Sequence, residues 1–268
     1  MKQRVDLWLV ENGYFQSREQ AQRSIMAGEV FIDGKRMEKA SQTVADVVEV
    51  TLAGGAQHYV SRGGLKLEKA VQSFGVTVSG RICLDAGAST GGFTDFLLQN
   101  GAAHVYAVDV GYGQLAWKLR QDSRVTVFER ENIRYFDNGK LMAVPDLVTA
   151  DLSFISLELV FPKFRELIAA EGDLVTLIKP QFEAGKGKVG KKGVIRDRAI
   201  HLEVLERLTV SGRNQGWFLR NLTFSPVLGP EGNIEYLGHW RLDDGTVPFT
   251  QFVTVVEAAW LELKGEKR

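Results

Sequence analysis

The stretch that decides the fold is Asp85-Ala86-Gly87-Ala88-Ser89-Thr90-Gly91-Gly92-Phe93. A short apolar run, Arg81-Ile82-Cys83-Leu84, precedes it and is typical of a buried strand. Apolar side chains at helical spacing follow it, at Phe93, Phe96 and Leu97. This order of strand, glycine turn and helix predicts an α/β protein in which bare backbone approaches a nucleotide-like ligand.

The spacing of the glycines and of a later acidic residue indicates which ligand is expected. Gly87, Gly91 and Gly92 form the pattern G-x-x-x-G-G, which differs from the G-x-G-x-x-G pattern that binds a pyrophosphate. Asp109 follows Gly87 by 22 residues, close to the roughly 20 expected for a carboxylate that binds ribose hydroxyls. S-adenosylmethionine (SAM), which has a ribose and an adenine but no phosphate, fits better than a dinucleotide. For the glycines alone, a structural turn without a ligand is the alternative. The residues expected to bind SAM are Asp85, Gly87, Ser89, Thr90, Gly91, Gly92, Asp109 and, after a predicted strand at 124–128, Asn132.

The composition excludes several classes of protein. A chain of 268 residues with 44% hydrophobic and 25% charged residues suits one or two globular domains. The formal net charge of +0 gives no global indication of a polyanionic partner. One cysteine and four scattered histidines offer neither a disulfide nor a metal-ligand spacing, so we expect no metal and a cytoplasmic location. The amino terminus does not resemble a signal peptide, and no run approaches the ~18 apolar residues of a membrane span.

The pattern of elements predicts two domains joined by a linker. Residues 1–52 are predicted to form a small α+β domain, with a first helix that ends at Gly13 and a second that begins at the capping box Ser17-Arg18-Glu19-Gln20. Asp33-Gly34 predicts a two-residue hairpin turn. Residues 53–58, which contain Ala53-Gly54-Gly55-Ala56, have the composition of a flexible linker.

From residue 59 to residue 268, apolar strands alternate with helices. Strands are predicted at 81–86, 104–109, 124–128, 146–151 and 173–179, with helices near 91–100, 113–120 and 156–169. A helix near 197–213, strands near 217–225 and 233–241, and a helix ending at about Lys264 follow. This alternation predicts a doubly wound parallel sheet.

Four charged residues occupy places that an apolar strand pattern does not explain. Asp151 and Lys179 each end a predicted strand, Lys66 follows a loop-to-helix junction, and Glu235 interrupts a late strand. Alone, each would be interpreted as a surface charge or half of a structural ion pair. Asp151 and Lys179 together, at adjacent strand ends beside a SAM-type loop, favour a functional role. A sugar hydroxyl is a poor nucleophile toward a sulfonium methyl unless its proton is removed. A lysine can take that proton only when neutral; a second cation favours the neutral form, whereas carboxylates oppose it.

These residues carry a resemblance to a known family. The set Lys66, Asp151, Lys179 and Glu235 resembles the Lys-Asp-Lys-Glu tetrad of the FtsJ-like ribose 2′-O-methyltransferases, and the glycine motif is similar, with Thr90 where many members have proline. More closely, the chain resembles the TlyA (hemolysin A) family of ribosomal RNA 2′-O-methyltransferases. The stretches that carry the resemblance are 60–66, 84–93, 109–117, 150–157, 179–183 and 229–236.

The resemblance implies a Rossmann-like class I SAM methyltransferase sheet, mostly parallel with a late antiparallel strand. It implies SAM as cofactor and a cytidine ribose in small- or large-subunit ribosomal RNA, or in both, as substrate. It also implies that Lys179 is the base, with Lys66, Asp151 and Glu235 arranging it and the ribose.

The amino-terminal domain resembles the α-L RNA-binding domain, although residues 1–52 contain seven Lys/Arg and eight Asp/Glu. RNA binding there would need one face with an excess of positive charge. A second basic segment, 184–198, has six basic residues and one acid in a glycine-rich loop after Lys179. The residues expected to contact RNA are Arg18, Arg23, Lys35, Arg36, Arg62, Lys188, Lys191 and Lys192. The alternative for both segments is a solvated surface.

Three other functions are open at this point. In an amino-group methyltransferase of nucleic acids, Asp151-Leu152-Ser153-Phe154 would replace the Asp/Asn-Pro-Pro-Tyr/Phe motif, but both prolines are absent. A cytolysin that forms a helical pore is disfavoured because no apolar span exists. A noncatalytic ribosome-binding factor would act without SAM. Phe154 is expected in the core rather than in a pocket, and the oligomeric state is left open.

Overall fold

The structure is a computed structural model that describes residues 3–11, 14–15, 17–26, 28–44, 50–52, 59–185, 187–190, 193–243, 245 and 247–265. The chain divides into two compact units, Met1–His58 and Tyr59–Arg268. The predicted linker at 53–58 and the predicted helix end at Gly13 lie outside the described residues, as do Lys191 and Lys192.

The first unit packs two helices and short antiparallel strands around one apolar core. Its elements are β1 (Gln3–Arg4), α1 (Val5–Glu11), α2 (Arg18–Met26), β2 (Val30–Ile32), β3 (Lys35–Arg36), β4 (Thr43–Val44) and β5 (Val50–Leu52). Strand β2 pairs with β3 and β5, and β1 pairs with β4. The Ser17 hydroxyl accepts the N–H of Gln20 at 3.2 Å, as the capping box predicts. Asp33 and Gly34 have φ of 50° and 73°, which confirms the hairpin turn.

The second unit is built on a seven-stranded sheet with the order β11-β12-β10-β9-β6-β7-β8. The strands are β6 (Ile82–Ala86), β7 (His104–Asp109), β8 (Val125–Glu129), β9 (Leu147–Ala150), β10 (Asp173–Ile178), β11 (Phe218–Phe224) and β12 (Tyr236–Arg241). Strands β8, β7, β6, β9 and β10 are parallel, whereas β12 is antiparallel to both β10 and β11. This confirms the mostly parallel sheet with a late antiparallel strand.

Helices cover both faces of this sheet. They are α3 (Gly63–Phe74), α4 (Gly92–Gln99), α5 (Trp117–Arg120), α6 (Phe161–Leu167), α7 (Pro180–Glu183), α8 (Arg198–Asn214) and α9 (Phe249–Lys264). Neighbouring strand residues point to opposite faces: Cys83 joins the apolar cluster that contains α3, α4 and α5, and Leu84 joins the cluster that contains α6, α8 and α9. Both faces of β6, β7, β9 and β10 are therefore buried, which explains their apolar runs, whereas the edge strand β8 is half-buried.

Three predicted boundaries were wrong, each because local polar contacts or a proline interrupt the pattern. The helix predicted at 113–120 begins only at Trp117, since Gly113 has φ of 71° and ends a loop segment. The helix predicted at 156–169 is divided into Leu157–Leu159 and Phe161–Leu167, with a proline in the first turn of the second helix. The strand predicted at 233–241 begins at Tyr236, so Glu235 precedes the strand instead of interrupting it.

Candidate active site

Two lysines and two carboxylates form a continuous chain of charges at the carboxyl end of the sheet. Asp151 follows β9 and Lys179 follows β10, and these parallel neighbours end at the same edge. The Lys179 amine lies 2.5 Å from Oδ1 of Asp151. The Lys66 amine lies 3.7 Å from Oδ2 of Asp151 and 2.7 Å from Oε2 of Glu235. The order of contacts is therefore Lys179, Asp151, Lys66, Glu235.

Three of these charged groups are buried, whereas Asp151 is partly exposed. Glu235 is 0% exposed, Lys179 is 7% exposed and Lys66 is 9% exposed. Buried charges are costly unless they are paired, so each group depends on its neighbours in the chain. Glu235 is not fully satisfied, because its Oε1 has no hydrogen-bond partner among the described residues. The site thus brings four ionisable groups together beside two cavities, an arrangement that is typical of functional sites.

Two cavities meet at Asp151. The smaller cavity, of about 250 Å³, is lined by Lys66 and Arg62 together with the turn after β6. The larger cavity, of about 720 Å³, is lined by Asp109, Asn132 and the loop after β9. Gly87, Ser89 and Asp151 line both cavities. The carboxylate that binds Lys179 therefore stands where a ligand in one cavity would meet a ligand in the other.

The glycine turn brings backbone to this junction. Gly87 has φ of 82°, and a Cβ atom there would lie 2.7 Å from the backbone oxygen of Asp151. The turn is also connected to the end of β7, because Ser89 N donates a hydrogen bond to Oδ2 of Asp109 at 2.8 Å. Gly111 N donates to the other carboxylate oxygen of Asp109 at 2.7 Å. Asp109 is thus held at the cavity wall with lone pairs left for a ligand.

Of the other predicted SAM-binding residues, some line a cavity and two do not. Thr90 and Gly92 line the smaller cavity, and Asn132 lines the larger one. Gly91 lines neither; its φ is 99° and a Cβ atom would lie 2.2 Å from Cδ1 of Leu119, so it serves the turn. Asp85 also lines neither cavity.

Asp85 is buried below the turn. It accepts hydrogen bonds from Thr94 Oγ1 at 2.7 Å and from Thr149 Oγ1 at 3.3 Å. Burial raises the pKa of the Asp85 carboxyl to about 7, with a further contribution from the charge of Asp151. The hydrogen bonds from Thr94 and Thr149 hold its side chain inside the protein, where it lines neither cavity.

Phe154 contradicts the sequence prediction that placed it in the core. It is 90% exposed, has φ of 64° and lines the larger cavity. Its ring centroid lies 4.8 Å from that of Phe182. The prediction was wrong because the loop after β9 has a positive φ at Phe154 and leaves its ring exposed.

Sequence reasoning missed several residues of the site. Ser153 Oγ lies 2.9 Å from the Lys179 amine, and its hydroxyl two positions after Asp151 was the available signal. Exposed aromatic side chains carry no charge signal of their own. Of these, Phe154 lines the larger cavity, Tyr112 lies in sequence between its lining residues Val110 and Gln114, and Tyr135 follows its lining residue Arg134. Arg130 lies over the ring of Tyr112, 4.5 Å from its centroid.

Of the four residues of the first unit that are predicted to contact RNA, Arg18 pairs with a buried carboxylate and the other three are exposed. Arg18 Nε lies 2.8 Å from Oδ2 of the buried Asp6, which also binds Arg4. Hydrogen bonds from Arg4, then from Arg18 and Gln22, hold the pKa of Asp6 well below its usual range despite burial. The other three predicted contacts, Arg23, Lys35 and Arg36, are exposed.

In the second unit, Arg62 is exposed and lines the smaller cavity. Lys188 is exposed and forms an ion pair with Glu203 of α8. Within the described ranges, no helix is long and apolar enough to cross a bilayer. The same residues include no group of three or more side chains suited to hold a metal ion.

Comparison with known proteins agrees with this geometry. The FtsJ-like methyltransferase family matches residues 59–242, and the S4 domain matches residues 3–46. YqxC of Bacillus subtilis, named provisionally as an rRNA methyltransferase, is 46% identical and covers 99% of this chain and 97% of its own length. TlyA of Mycobacterium tuberculosis, named a 16S/23S rRNA (cytidine-2′-O)-methyltransferase, is 47% identical over 87% of each chain.

A solved structure from Streptococcus thermophilus, named provisionally as a hemolysin, superimposes with a TM-score of 0.81 at 45% identity. The match covers 98% of each chain. The row of charges at the junction of the two cavities and the order of the strands fit a methyltransferase, and these matches point to the same family. The chain belongs to the FtsJ-like methyltransferase family, in the group that includes TlyA.

Proposed function

We propose that this protein transfers a methyl group from SAM to the 2′-hydroxyl of a cytidine ribose in ribosomal RNA. The observation that carries the proposal is the contact of Lys179 with Asp151 at the junction of the two cavities. The TlyA relative named for this reaction supports the nucleotide and the RNA class. Ribosomal RNA as substrate also supports a cytoplasmic location.

The residues of the larger cavity suit SAM. Its volume of about 720 Å³ falls within the range of small-molecule sites. Asp109 would accept hydrogen bonds from the ribose hydroxyls, and Asn132 with Ile133 would lie against the adenine. Gly87 and Ser89 would contact the part of the ligand nearest Asp151. When bound, SAM supplies a sulfonium methyl whose carbon bonds to the ribose oxygen while sulfur keeps the C–S electron pair.

The chain's own residues would position and deprotonate the ribose. Lys179 in its neutral form would take the hydroxyl proton, and Asp151 would hold the amine in place. Lys66, bound between Asp151 and Glu235, would keep Asp151 oriented toward the Lys179 amine. Alignment of hydroxyl and methyl within the closed junction would supply much of the remaining acceleration.

The exposed aromatic residues support an RNA substrate. Every base has a π face, and stacking on an aromatic side chain contributes about 1–3 kcal/mol per base. Phe154 follows Ser153, which contacts the Lys179 amine, and its exposed ring would stack against the base of the target nucleotide or its neighbour. We assign phosphate contacts to Arg62 and Lys188, and to Lys191 and Lys192 of the same segment. In the S4 domain we assign them to Arg18, Arg23, Lys35 and Arg36.

Methyl transfer from labelled SAM to isolated small and large ribosomal subunits tests the proposal. The wild-type protein should label at least one subunit, and Lys179→Ala should abolish the labelling. Lys163→Ala is the matched control, because its amine pairs with Glu166 on α6, away from both cavities. Alkaline hydrolysis identifies the product, since a 2′-O-methyl group blocks cleavage at that nucleotide whereas a methyl on a base does not.

Each alternative has its own outcome. Labelled RNA that is still cleaved at the modified nucleotide would indicate an amino-group methyltransferase. Lysis of erythrocytes by pure protein that survives Lys179→Ala would indicate a cytolysin. Absence of transfer to both subunits, with cellular function retained in a variant that cannot bind SAM, would indicate a noncatalytic ribosome-binding factor.

A further inference from the structure

One buried carboxylate outside the tetrad joins the two loops that carry the proposed catalytic residues. Glu183 lies in α7, four residues after Lys179, and is 6% exposed. Its Oε1 accepts the backbone N–H of Leu157 at 2.9 Å, and its Oε2 accepts the hydroxyl of Ser156 at 2.7 Å. Residues 156 and 157 end the loop after β9, whereas Glu183 ends the segment after β10.

The loop that Glu183 holds lacks the regular backbone pairing of a strand or a helix. Residues 151–156 have no regular secondary structure, so no ladder of backbone hydrogen bonds fixes them. This loop carries Asp151, Ser153 and Phe154. All three contact the segment 179–183: Asp151 and Ser153 at the Lys179 amine, and Phe154 at the ring of Phe182. Glu183 adds the contact to the last residues of the loop, Ser156 and Leu157.

Glu183 is itself anchored to the scaffold. Arg207 of the long helix α8 donates to the backbone oxygen of Glu183, and the same guanidinium pairs with Glu158. Burial raises the pKa of the Glu183 carboxyl, while the bonds from Leu157 and Ser156 and the charge of Arg207 oppose that rise. Burying a carboxyl group is costly unless donors and a cation are placed to hold it, as Leu157, Ser156 and Arg207 are here. A surface loop would be closed more simply by apolar contacts.

We propose that Glu183 is a positioning residue for methyl transfer, which fixes the loop 151–157 against the segment 179–183 so that Asp151 and Ser153 stay on the Lys179 amine. The effect of Glu183 on methyl transfer rests on the proposed function. The joining of the two loops stands on the geometry alone.

Three variants test it. Glu183→Ala removes both acceptors, whereas Glu183→Gln keeps an acceptor for the Leu157 N–H and can donate to the Ser156 oxygen. Glu158→Ala is the control, because it removes the other partner of Arg207 and leaves the loop contacts intact. Each variant is assayed for kcat with SAM and ribosomal subunits, and for amide hydrogen exchange without substrate.

Glu183→Ala should lower kcat by about tenfold to a hundredfold, the cost of small misplacements of reacting groups. It should also speed exchange at the amide of Leu157 by about tenfold or more, with no change in the strand Ile82–Ala86. Glu183→Gln and Glu158→Ala should stay within about twofold of wild type in both measurements. Wild-type kcat in Glu183→Ala, or a Gln variant as impaired as the Ala variant, would overturn the proposal.

The exchange measurement separates this proposal from the proposed function. If wild-type protein methylates no ribosomal subunit, the function fails, yet faster exchange at Leu157 in Glu183→Ala would still support the joining of the loops. If wild type is active and exchange at Leu157 is unchanged in Glu183→Ala, the positioning role fails and the function stands.

Discussion

Gly229 and Glu235 approach each other so closely that a Cβ atom on Gly229 would lie 2.2 Å from Oε1 of Glu235. The two ends of this loop are tied, since Gly229 N donates to the backbone oxygen of Asn233 at 2.9 Å. Glu235 is wholly buried and binds Lys66 through its other oxygen. The absence of a side chain at residue 229 therefore determines where the Glu235 carboxylate can lie.

We expect Gly229→Ala to displace the Glu235 carboxylate and to weaken its bond to Lys66. Overpacking of this kind costs about 1–3 kcal/mol of stability. Activity should fall by about tenfold or more, because Lys66 would no longer be held against Asp151. Urea unfolding and the methyl-transfer assay measure the two effects. Gly139→Ala is the control, since its Cβ would meet its nearest atom at 3.2 Å, in a turn that lines neither cavity. Equal behaviour of the two variants would show that Glu235 has room to move.

Substitutions in the Lys66–Glu235 pair should affect stability and activity differently. Lys66→Met leaves the buried carboxylate without its cation, and we expect the free energy of unfolding to fall by about 3–5 kcal/mol. Glu235→Gln in the same chain removes the orphaned charge and should recover about half or more of that loss. Activity should stay low in the double variant, because the link from Lys66 to Asp151 is gone. Recovery of activity together with stability would mean that the pair is purely structural.

The buried Asp85 should make stability depend on pH. Its pKa rises from 3.8 to about 7 in the folded protein, so the native state holds a proton that the unfolded state loses between those values. Asp85 therefore contributes stability that is complete below about pH 4 and is lost as the pH rises to about 7. Relative to wild type, Asp85→Asn should become more stable over this range, by at most about 4 kcal/mol.

Urea titrations of both proteins at pH 5, 6, 7 and 8 measure this difference. The stability difference should level off above about pH 7, where Asp85 is ionised. A difference that does not change with pH would show that Thr94 and Thr149 stabilise the ionised carboxylate enough to cancel its burial.

Phe154 should affect the RNA substrate more than SAM. Phe154→Ala removes an exposed ring, so stability should change by less than about 0.5 kcal/mol. Loss of one stacked base would raise the KM for ribosomal subunits by about fivefold to a hundredfold. Phe154→Tyr should retain stacking and serve as the matched variant. An unchanged KM in Phe154→Ala would assign the ring to the wall of the larger cavity alone.

Much of the fold follows from local sequence pattern. Strands buried on both faces appear as continuous apolar runs, so a polar residue at the end of a run marks the edge of the sheet. Asp109, Asp151 and Lys179 were located for this reason, and the structure places them on cavity walls or in the charged chain. The mostly parallel sheet is confirmed, whereas the roles of these residues stay predictions.

What the sequence could not predict depends on contacts between distant segments. The inward direction of Asp85 is set by Thr94 and Thr149, and the exposure of Phe154 by a loop with positive φ. The sequence near Glu183 gives no sign of its contact with the loop after β9, because Leu157 is 26 residues away along the chain. The late strand begins at Tyr236 because Asn233 binds Ile195 N and the Gly193 oxygen instead of a neighbouring strand.

The basic segment after Lys179 gives a prediction that depends on salt. Each lysine–phosphate contact contributes about 0.7–0.9 to the slope of log affinity against log salt concentration. The triple variant Lys188→Ala, Lys191→Ala, Lys192→Ala should therefore bind ribosomal RNA more weakly, with a slope smaller by about 2. Lys163→Ala should leave the slope unchanged.

The ion pair of Lys188 with Glu203 sharpens this test. Exposed pairs of this kind contribute about 0–1 kcal/mol, so RNA can compete for the lysine at little cost. Glu203→Gln removes the competing carboxylate and should strengthen RNA binding and increase the salt slope, opposite to the triple variant. Slopes that are the same in wild type, Glu203→Gln and the triple variant would exclude this segment from RNA binding, because a cation that contacts phosphate must release counterions when it binds.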